Sequence, residues 1–293
     1  MDPHLLRTFV TVARHGSFSA AARELGYTQS AVSQQIAALE ADLRAPLLGR
    51  RPVVPTPAGA RLLEHAGPLL LRVEAARADI ARLVAAPRAR LAVGVSALAQ
   101  SPSLAGALAQ THRQHPGAEV TLRVLPGETV SALVATGELD LGLIDGAVAP
   151  TDPLHLPDVS PLTARAVAEL PLAVALPAHH PLSARTGLRL HDLSDARWLD
   201  APAAAVPLAR LRAAAAADGF RPAVGYAGAD PAGLLALVAA GHGLAVLPHA
   251  TAETAPGVRA VPLAAPRLVH RVELIHSGPP TGPAADLAAR LVA

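Results

Sequence analysis

Seven apolar residues recur between positions 62 and 83 at spacings of four, three, four, three, four and three: Leu62, Ala66, Leu69, Val73, Ala76, Ile80 and Leu83. Only a helical period returns all seven to one stripe, so residues 57–86 are predicted to form one long helix. Arg61, Glu64, Arg72, Glu74, Arg77 and Asp79 fall outside the stripe. A narrow apolar seam on a helix of this length predicts pairing with a second copy of the chain, a homodimer. Gly67-Pro68 interrupts the sequence, and proline removes a helical hydrogen bond and crowds the preceding turn, which predicts a kink. Pro87-Arg88-Ala89-Arg90 ends the helix and reads as a hinge.

Ahead of the seam, the periodicity predicts three shorter helices. Residues 3–15 carry Leu6, Phe9, Val10 and Ala13 on one side and stop at Gly16-Ser17. Ser19 is expected to cap a second helix from Ala20 to Leu25, ended by Gly26. Thr28 is expected to cap a third from Gln29 to Leu43, with Val32, Ile36, Leu39 and Leu43 buried. The opposite face of the third helix holds Ser30, Gln34, Ala37 and Ala41, with Ser33 alongside. It is small and polar near its start. Such a face suits a major groove: small side chains allow close approach, Gln can bond an adenine edge twice, and Ser can bond base or phosphate. After it, residues 46–59 read as a short two-stranded wing with Arg50 and Arg51 at the tip, placed for phosphates or a narrow minor groove. Charge agrees: residues 1–86 hold 10 Arg against 7 acidic residues, and the remainder of the chain 15 against 16. The basic excess thus lies at this end.

Here a resemblance is specific. The residues that carry it are Leu6, Phe9, Val12 and Ala13, then Gly16-Ser17-Phe18-Ser19-Ala20-Ala21-Ala22, then Leu25. They continue with Thr28-Gln29-Ser30-Ala31-Val32-Ser33-Gln34-Gln35-Ile36, Leu39-Glu40, Leu43, Pro46-Leu47-Leu48 and Thr56-Pro57-Ala58-Gly59. Together they resemble the LysR-type transcriptional regulators over nearly all of residues 4–60. Leu48 stands where that family usually has Phe, and Pro55 where it usually has Leu. The resemblance implies a winged helix-turn-helix over 1–60 that contacts DNA through Ser19, Thr28, Gln29, Ser30, Ser33, Gln34, Arg50 and Arg51. It implies a linker and hinge over 61–90 that dimerises, usually antiparallel, and assembly to a homotetramer. It also implies a C-terminal domain over 91–293 like the type 2 periplasmic binding proteins, with two α/β lobes and two chain crossings. The partners implied are operator DNA, a small-molecule effector and, for an activator, RNA polymerase.

The residues after Leu91 support the last point on their own. Strand-like runs at 91–95, 119–124, 139–144, 170–176, 244–247 and 268–275 alternate with helical runs at 102–114, 128–136, 207–217, 231–240 and 284–292, which predicts a parallel α/β sheet. Ala132-Leu133-Val134-Ala135-Thr136-Gly137 recurs as Ala236-Leu237-Val238-Ala239-Ala240-Gly241, each followed by an apolar run, as two similar lobes would give. Lobe one is placed at 91–163 plus 268–293 and lobe two at 164–267, with crossings at Asp145-Gly146 and near His270. In open α/β sheets ligands bind beyond the carboxyl ends of strands. That rule selects Ser96, Ala97, Glu128, Thr129, Asp145, Pro202, Ala203 and Gly228 as effector contacts. At Ser96 a hydroxyl and the backbone N–H groups of the next turn suit an anion, with no base expected nearby.

Composition and motifs weigh against other classes. Hydrophobic residues make up 51% and aromatic residues 2%, so the cores must be aliphatic, and a base-stacking platform is not expected. With no cysteine there is no disulfide, thiolate metal site or cysteine nucleophile. Gly94-Val95-Ser96-Ala97-Leu98 lacks the closing glycine of a nucleophile elbow. Gly241-His242-Gly243 lacks a third glycine and precedes a strand. The 13 His form no paired zinc motif, and no catalytic residue, metal or cofactor is expected. Met1-Asp2-Pro3-His4 does not begin an export signal, and no apolar run has membrane-spanning length, so a cytoplasmic protein is expected. A solute-binding protein alone would leave residues 1–86 without a role.

Overall fold

A computed structural model describes residues 1–49, 52–84, 90–156 and 162–292. The chain divides into two units that meet near Leu83–Val84. Arg50, Arg51 and the hinge residues Pro87, Arg88 and Ala89 lie outside the described residues.

In the first unit, α1 (Pro3–His15), α2 (Phe18–Leu25) and α3 (Gln29–Leu43) follow the three predicted helices. Asp2 caps α1, and Gly16 ends it in the left-handed conformation. Ser17, not Ser19, caps α2, accepting from the Ala20 N–H at 3.2 Å; the helix starts two residues earlier than expected because Phe18 joins its first turn. Thr28 caps α3 through the Ala31 N–H. Val32, Ile36 and Leu39 are buried as expected, but Leu43 is 38% exposed, since α3 ends there and outruns the core. That core joins Leu6, Phe9, Val12, Ala21, Ala22, Leu47, Leu48 and Ala66. Leu48 thus fills the site where a larger aromatic was the family norm.

The wing is less than a two-stranded sheet. Leu48 and Pro55 form a single bridge, flanked by bonds from Gly49 N–H to Val54 O and from Thr56 N–H to Leu47 O. Pro52 and Pro55 remove the donors a longer ladder would need. The Glu40 carboxylate accepts from the Leu47 and Leu48 N–H groups at 2.7 and 3.2 Å, tying this segment to α3.

The seam helix α4 runs unbroken from Pro57 to Val84 with Pro68 inside it. Its stripe is divided in use. Ala66 is fully enclosed and Leu62 half-buried against the first unit's own core, so Ala66 cannot also face a second copy. Leu69 and Ile80 are 37% and 64% exposed. The Leu83 side chain lies outside the described residues.

The second unit is an eight-stranded sheet with a two-stranded sheet beside it. Its strands are β1 (Arg90–Val95), β2 (Glu119–Val124), β3 (Leu141–Val148), β4 (Thr163–Pro177), β5 (Leu188–Arg189), β6 (Trp198–Asp200), β7 (Pro222–Gly225), β8 (Ala245–Pro248), β9 (Val258–Ala265) and β10 (Val269–His276). The main order is β2-β1-β3-β10-β4-β9-β5, with β8 also on β4 and β6 paired to β7. The helices are α5 (Pro102–Gln114), α6 (Gly127–Ala135), α7 (Leu208–Ala215), α8 (Pro231–Ala239), α9 (His249–Glu253) and α10 (Gly282–Val292). The sheet is mixed: β1 pairs in parallel with β2 and β3, whereas β10 and β4 run antiparallel to their neighbours.

Two lobes follow from how β4 is used. Its first half pairs with β10, and its second half, from Leu172, pairs with β8 and β9. Val167 and Ala168 pack on the core of β1, α5 and α10, while Leu172, Val174 and Leu176 belong to the core around Trp198 and Phe220. Between them Glu169, Leu170 and Pro171 are exposed. After Asp145-Gly146, Ala147 joins the second core before Leu154 and Leu156 pack with Val130 and Ile144, and β4 then passes from the first core to the second near Glu169–Pro171. β3 continues to Val148 along β10.

The repeated hexapeptide is a repeated structure. Thr136 and Ala240 end α6 and α8 with bonds to Ala132 O and Ala236 O, and Glu138 and His242 bond back to Leu133 O and Leu237 O. Gly137 and Gly241 hold φ of 72° and 81°, where a side chain would be strained. Each then delivers the chain into a buried strand, β3 or β8.

Gly59 sets the start of α4 against the wing: a Cβ there would lie 2.0 Å from Leu47 O. Gly59→Ala should destabilise the first unit by about 1–3 kcal/mol. Urea denaturation followed by helical circular dichroism would measure it, with Gly67→Ala, whose Cβ meets nothing within 4 Å, as the comparison.

Candidate functional site

Two groups of predicted residues are brought together, one in each unit. In the first, Thr8 Oγ1 donates to Gln35 Oε1 at 2.6 Å. This bond, with Val32 and Ile36 in the core, fixes how α3 is turned. Gln35 faces inward and its neighbour Gln34 outward. Thr28, Gln29, Ser30, Ser33 and Gln34 are all exposed, with Ala37 and Ala41 beyond them. Ser19 is exposed as well and donates to Gln29 Oε1 at 3.1 Å, so it braces a face residue and caps nothing. Tyr27, which helical periodicity does not mark, is 49% exposed beside this face; its place just before the cap Thr28 is the available signal. At the far end of α1, Arg14 and His15 both bond Glu24 of α2. His15 first and then Arg14 hold the Glu24 carboxyl below its ordinary value.

In the second unit, Ser96 follows β1 and is buried. Its N–H bonds Leu143 O. Its side chain does not cap the 3-10 turn Ala97–Ala99. The hydroxyl donates instead to Asp145 Oδ1, with a longer contact to Leu143 O at 3.3 Å. Asp145 Oδ2 in turn meets His270 Nε2 at 2.9 Å. The pairing register explains the meeting: Asp145 lies opposite Val272 and Ala147 opposite His270, so Asp145 and His270 stand on one face of β3 and β10. The expectation that Ser96 has no base nearby is thus corrected. Ser, Asp and His are adjacent, yet in the wrong order for a hydrolase. A nucleophilic Ser needs imidazole as its base and Asp behind the imidazole; here Asp sits between the two, and imidazole does not reach Ser.

The other predicted contacts surround this point unevenly. Leu98, two residues after Ser96, shares a core with Leu199, Ala201, Ala204 and Ala205, bringing the Ser96 turn to the turn that carries Pro202 and Ala203. Gly228 lies under the Tyr226 ring, 2.8 Å from where its Cβ would be, and Tyr226 N–H bonds Asp200 O. Glu128 and Thr129 are exposed in the first turn of α6, whose cap position, Pro126, supplies no side-chain bond. Arg271, on the opposite face from His270, is held by Glu273 and Glu169; Glu273 first, then Glu169, raises its pKa. Among the described residues no group of three metal-ligand side chains occurs, and no helix is long and apolar enough to cross a membrane.

A helix-turn-helix carried in one chain with a two-lobed α/β domain defines a class, that of regulators built from a DNA-binding and a ligand-binding type of domain. Residues 3–60 match the bacterial regulatory helix-turn-helix protein model of the lysR family, and residues 85–292 match the LysR substrate binding domain. Among similar proteins, the small neutral protease regulatory protein of Streptomyces coelicolor is 35% identical over 204 residues, 67% of this chain and 58% of its own length. The transcriptional regulator CysL of Bacillus subtilis is 29% identical over 247 residues, 83% of this chain and 79% of its own. The chain thus spans little more than half the length of the Streptomyces relative. Crystal structures of full-length BenM (TM-score 0.55, 24% identity, 99% of this chain and 95% of that one) and of CbnR complexed with its target DNA (0.51, 22%, 100% and 98%) share the fold. The chain belongs to the LysR family of transcriptional regulators.

The Ser96–Asp145–His270 network sets different costs for its members. Asp145→Ala leaves both neighbours without their partner and should cost about 1–3 kcal/mol, whereas Ser96→Ala removes one donor and should cost about 1 kcal/mol. Thermal unfolding of the two variants would rank them, and equal stabilities would refute the network's hierarchy.

Proposed function

We propose that the chain binds duplex operator DNA as a dimer, laying the start of α3 in a major groove, and that a small molecule held between the two lobes of the second unit modulates that binding. The observation that carries the reading is the turn of α3. Gln35 is locked to Thr8, while the adjacent Gln34 and the small polar residues Thr28, Gln29, Ser30 and Ser33 are left uncovered. A solvated helix face has no need of that arrangement; a helix approaching base edges does. Arg50 and Arg51 are read as phosphate or minor-groove contacts. The exposed part of the α4 stripe, Leu69, Ala76 and Ile80 with half-buried Val73, is read as the dimer seam. Pairs of dimers would give a tetramer, the site of action is the cytoplasm, and RNA polymerase is a further partner if the regulator activates. The effector is proposed to be small and to lie against Ser96, Ala97, Asp145, Pro202 and Ala203; the negative charge expected for it would meet the Asp145 carboxylate there.

Substitutions separate these roles. Gln34→Ala should lose about 1–3 kcal/mol on the preferred duplex and relax preference at one position. Gln35→Ala should instead lower stability. Arg50→Ala should weaken all duplexes alike and reduce the salt slope by about one unit. Titration of labelled duplexes at several salt concentrations measures all three, and unchanged preference in Gln34→Ala would refute the docking. Ile80→Glu should dissociate the dimer in sedimentation while leaving the fold intact, whereas Ala66→Glu should unfold the first unit.

A further inference from the structure

Beside Ser96 lies a carboxylate with which no arginine pairs among the described residues. Ser96 gives its hydroxyl proton to Asp145, so what the serine has left to offer is an acceptor. His270 Nε2 meets the other carboxylate oxygen at 2.9 Å. His270 is 1% exposed, and its Nδ1 has no hydrogen-bond partner. Its one polar contact is therefore the bond from Nε2 to the carboxylate, which leaves the remaining carboxylate lone pairs for another donor. Two arginines bond close by along these strands, and neither bonds Asp145. Arg271 points to the opposite face, to Glu273 and Glu169. Arg210 donates through Nε to Ala147 O at 2.7 Å. Among the described residues no Arg pairs with Asp145, whose side chain is 14% exposed and so still open to a ligand. Its carboxylate has lone pairs left over beyond the two bonds it accepts.

We infer that the effector meets this carboxylate with a positively charged nitrogen, an ammonium or amidinium group carried on a compact apolar body. The inference rests on the cleft being the effector site. The cation donates to Asp145 and to Ser96 Oγ, while Ala97, Pro202 and Ala203 contact the body. A carboxylate in the same position would stand beside Asp145 as a like charge in a partly desolvated site, where such repulsion is strong. The ligand class is therefore opposite to the one suggested by a serine at a strand-to-helix turn.

The test compares probes that share a skeleton and differ in charge: benzylammonium with benzoate, and butylammonium with butyrate, each at millimolar concentration with the full chain. The melting midpoint should rise with the ammonium members and stay unchanged with the carboxylates. In Asp145→Asn, which keeps the shape of the side chain, ammonium binding should weaken about tenfold to a hundredfold. The unliganded melt of that variant reports its folding, and the comparison in the unaltered chain stands without it. A shift with the carboxylates alone overturns the charge class but leaves the cleft as the effector site. A shift with none of the four overturns both. An ammonium shift of equal size in Asp145→Asn overturns the assignment to Asp145.

Discussion

Strand β4 is shared by two hydrophobic cores, and the second unit depends on that sharing. Its 15 residues pair with β10 over the first half and with β8 and β9 over the second. Where the cores part, Glu169, Leu170 and Pro171 are exposed and the backbone is the connection that remains. A strand committed to two cores cannot shift register for one without breaking the other. The ends of β1 and β3 are thereby held opposite the turn after β6, and Ser96, Asp145 and His270 meet beside that join. The meeting of Asp145 and His270 is a consequence of strand pairing, since the register places both on one face.

The first unit reaches its purpose by a smaller device of the same kind. Three short helices bury Leu, Val, Ile and Ala around Phe9, and the Thr8–Gln35 bond sets the rotation of α3 within that core. One residue of rotation separates a structural glutamine from an exposed one. The Glu40 carboxylate then fixes the wing segment to the same helix by accepting two backbone N–H groups. The exposed face of α3 and the segment after it are thus positioned by polar contacts of α3 itself. Small side chains at Ser30, Ser33 and Ala37 leave the backbone accessible.

Local patterns made much of this legible. The bounds of α1, α3, α5 and β2 agree with the 3.6- and 2-residue periods and their caps, and the repeated hexapeptide turned out to be a repeated helix end. What was missed has identifiable causes. The first half of β4 has exposed, mixed residues on both faces, so Thr163–Glu169 carries no alternation to read. β9 contains Pro262, which argues against a strand, yet it pairs on both sides. Ser17 and Ser19 are equivalent as cap residues, and which of them caps α2 depends on whether Phe18 joins the helix. The Asp145–His270 contact joins residues 125 apart, and no local rule anticipates it. The proposal of a cationic effector rests on the same contact, since a serine read alone suggests a donor and a serine beside a carboxylate does not.

Selection of duplexes from a random pool by the full chain, followed by sequencing, bears most directly on the whole. A dimer reading DNA through two copies of α3 enriches an interrupted sequence with two-fold symmetry, its half-sites spaced about one helical turn or a multiple of it apart. Recovery of a pool with no enriched sequence, or of a single unrepeated half-site bound by a monomer, contradicts it.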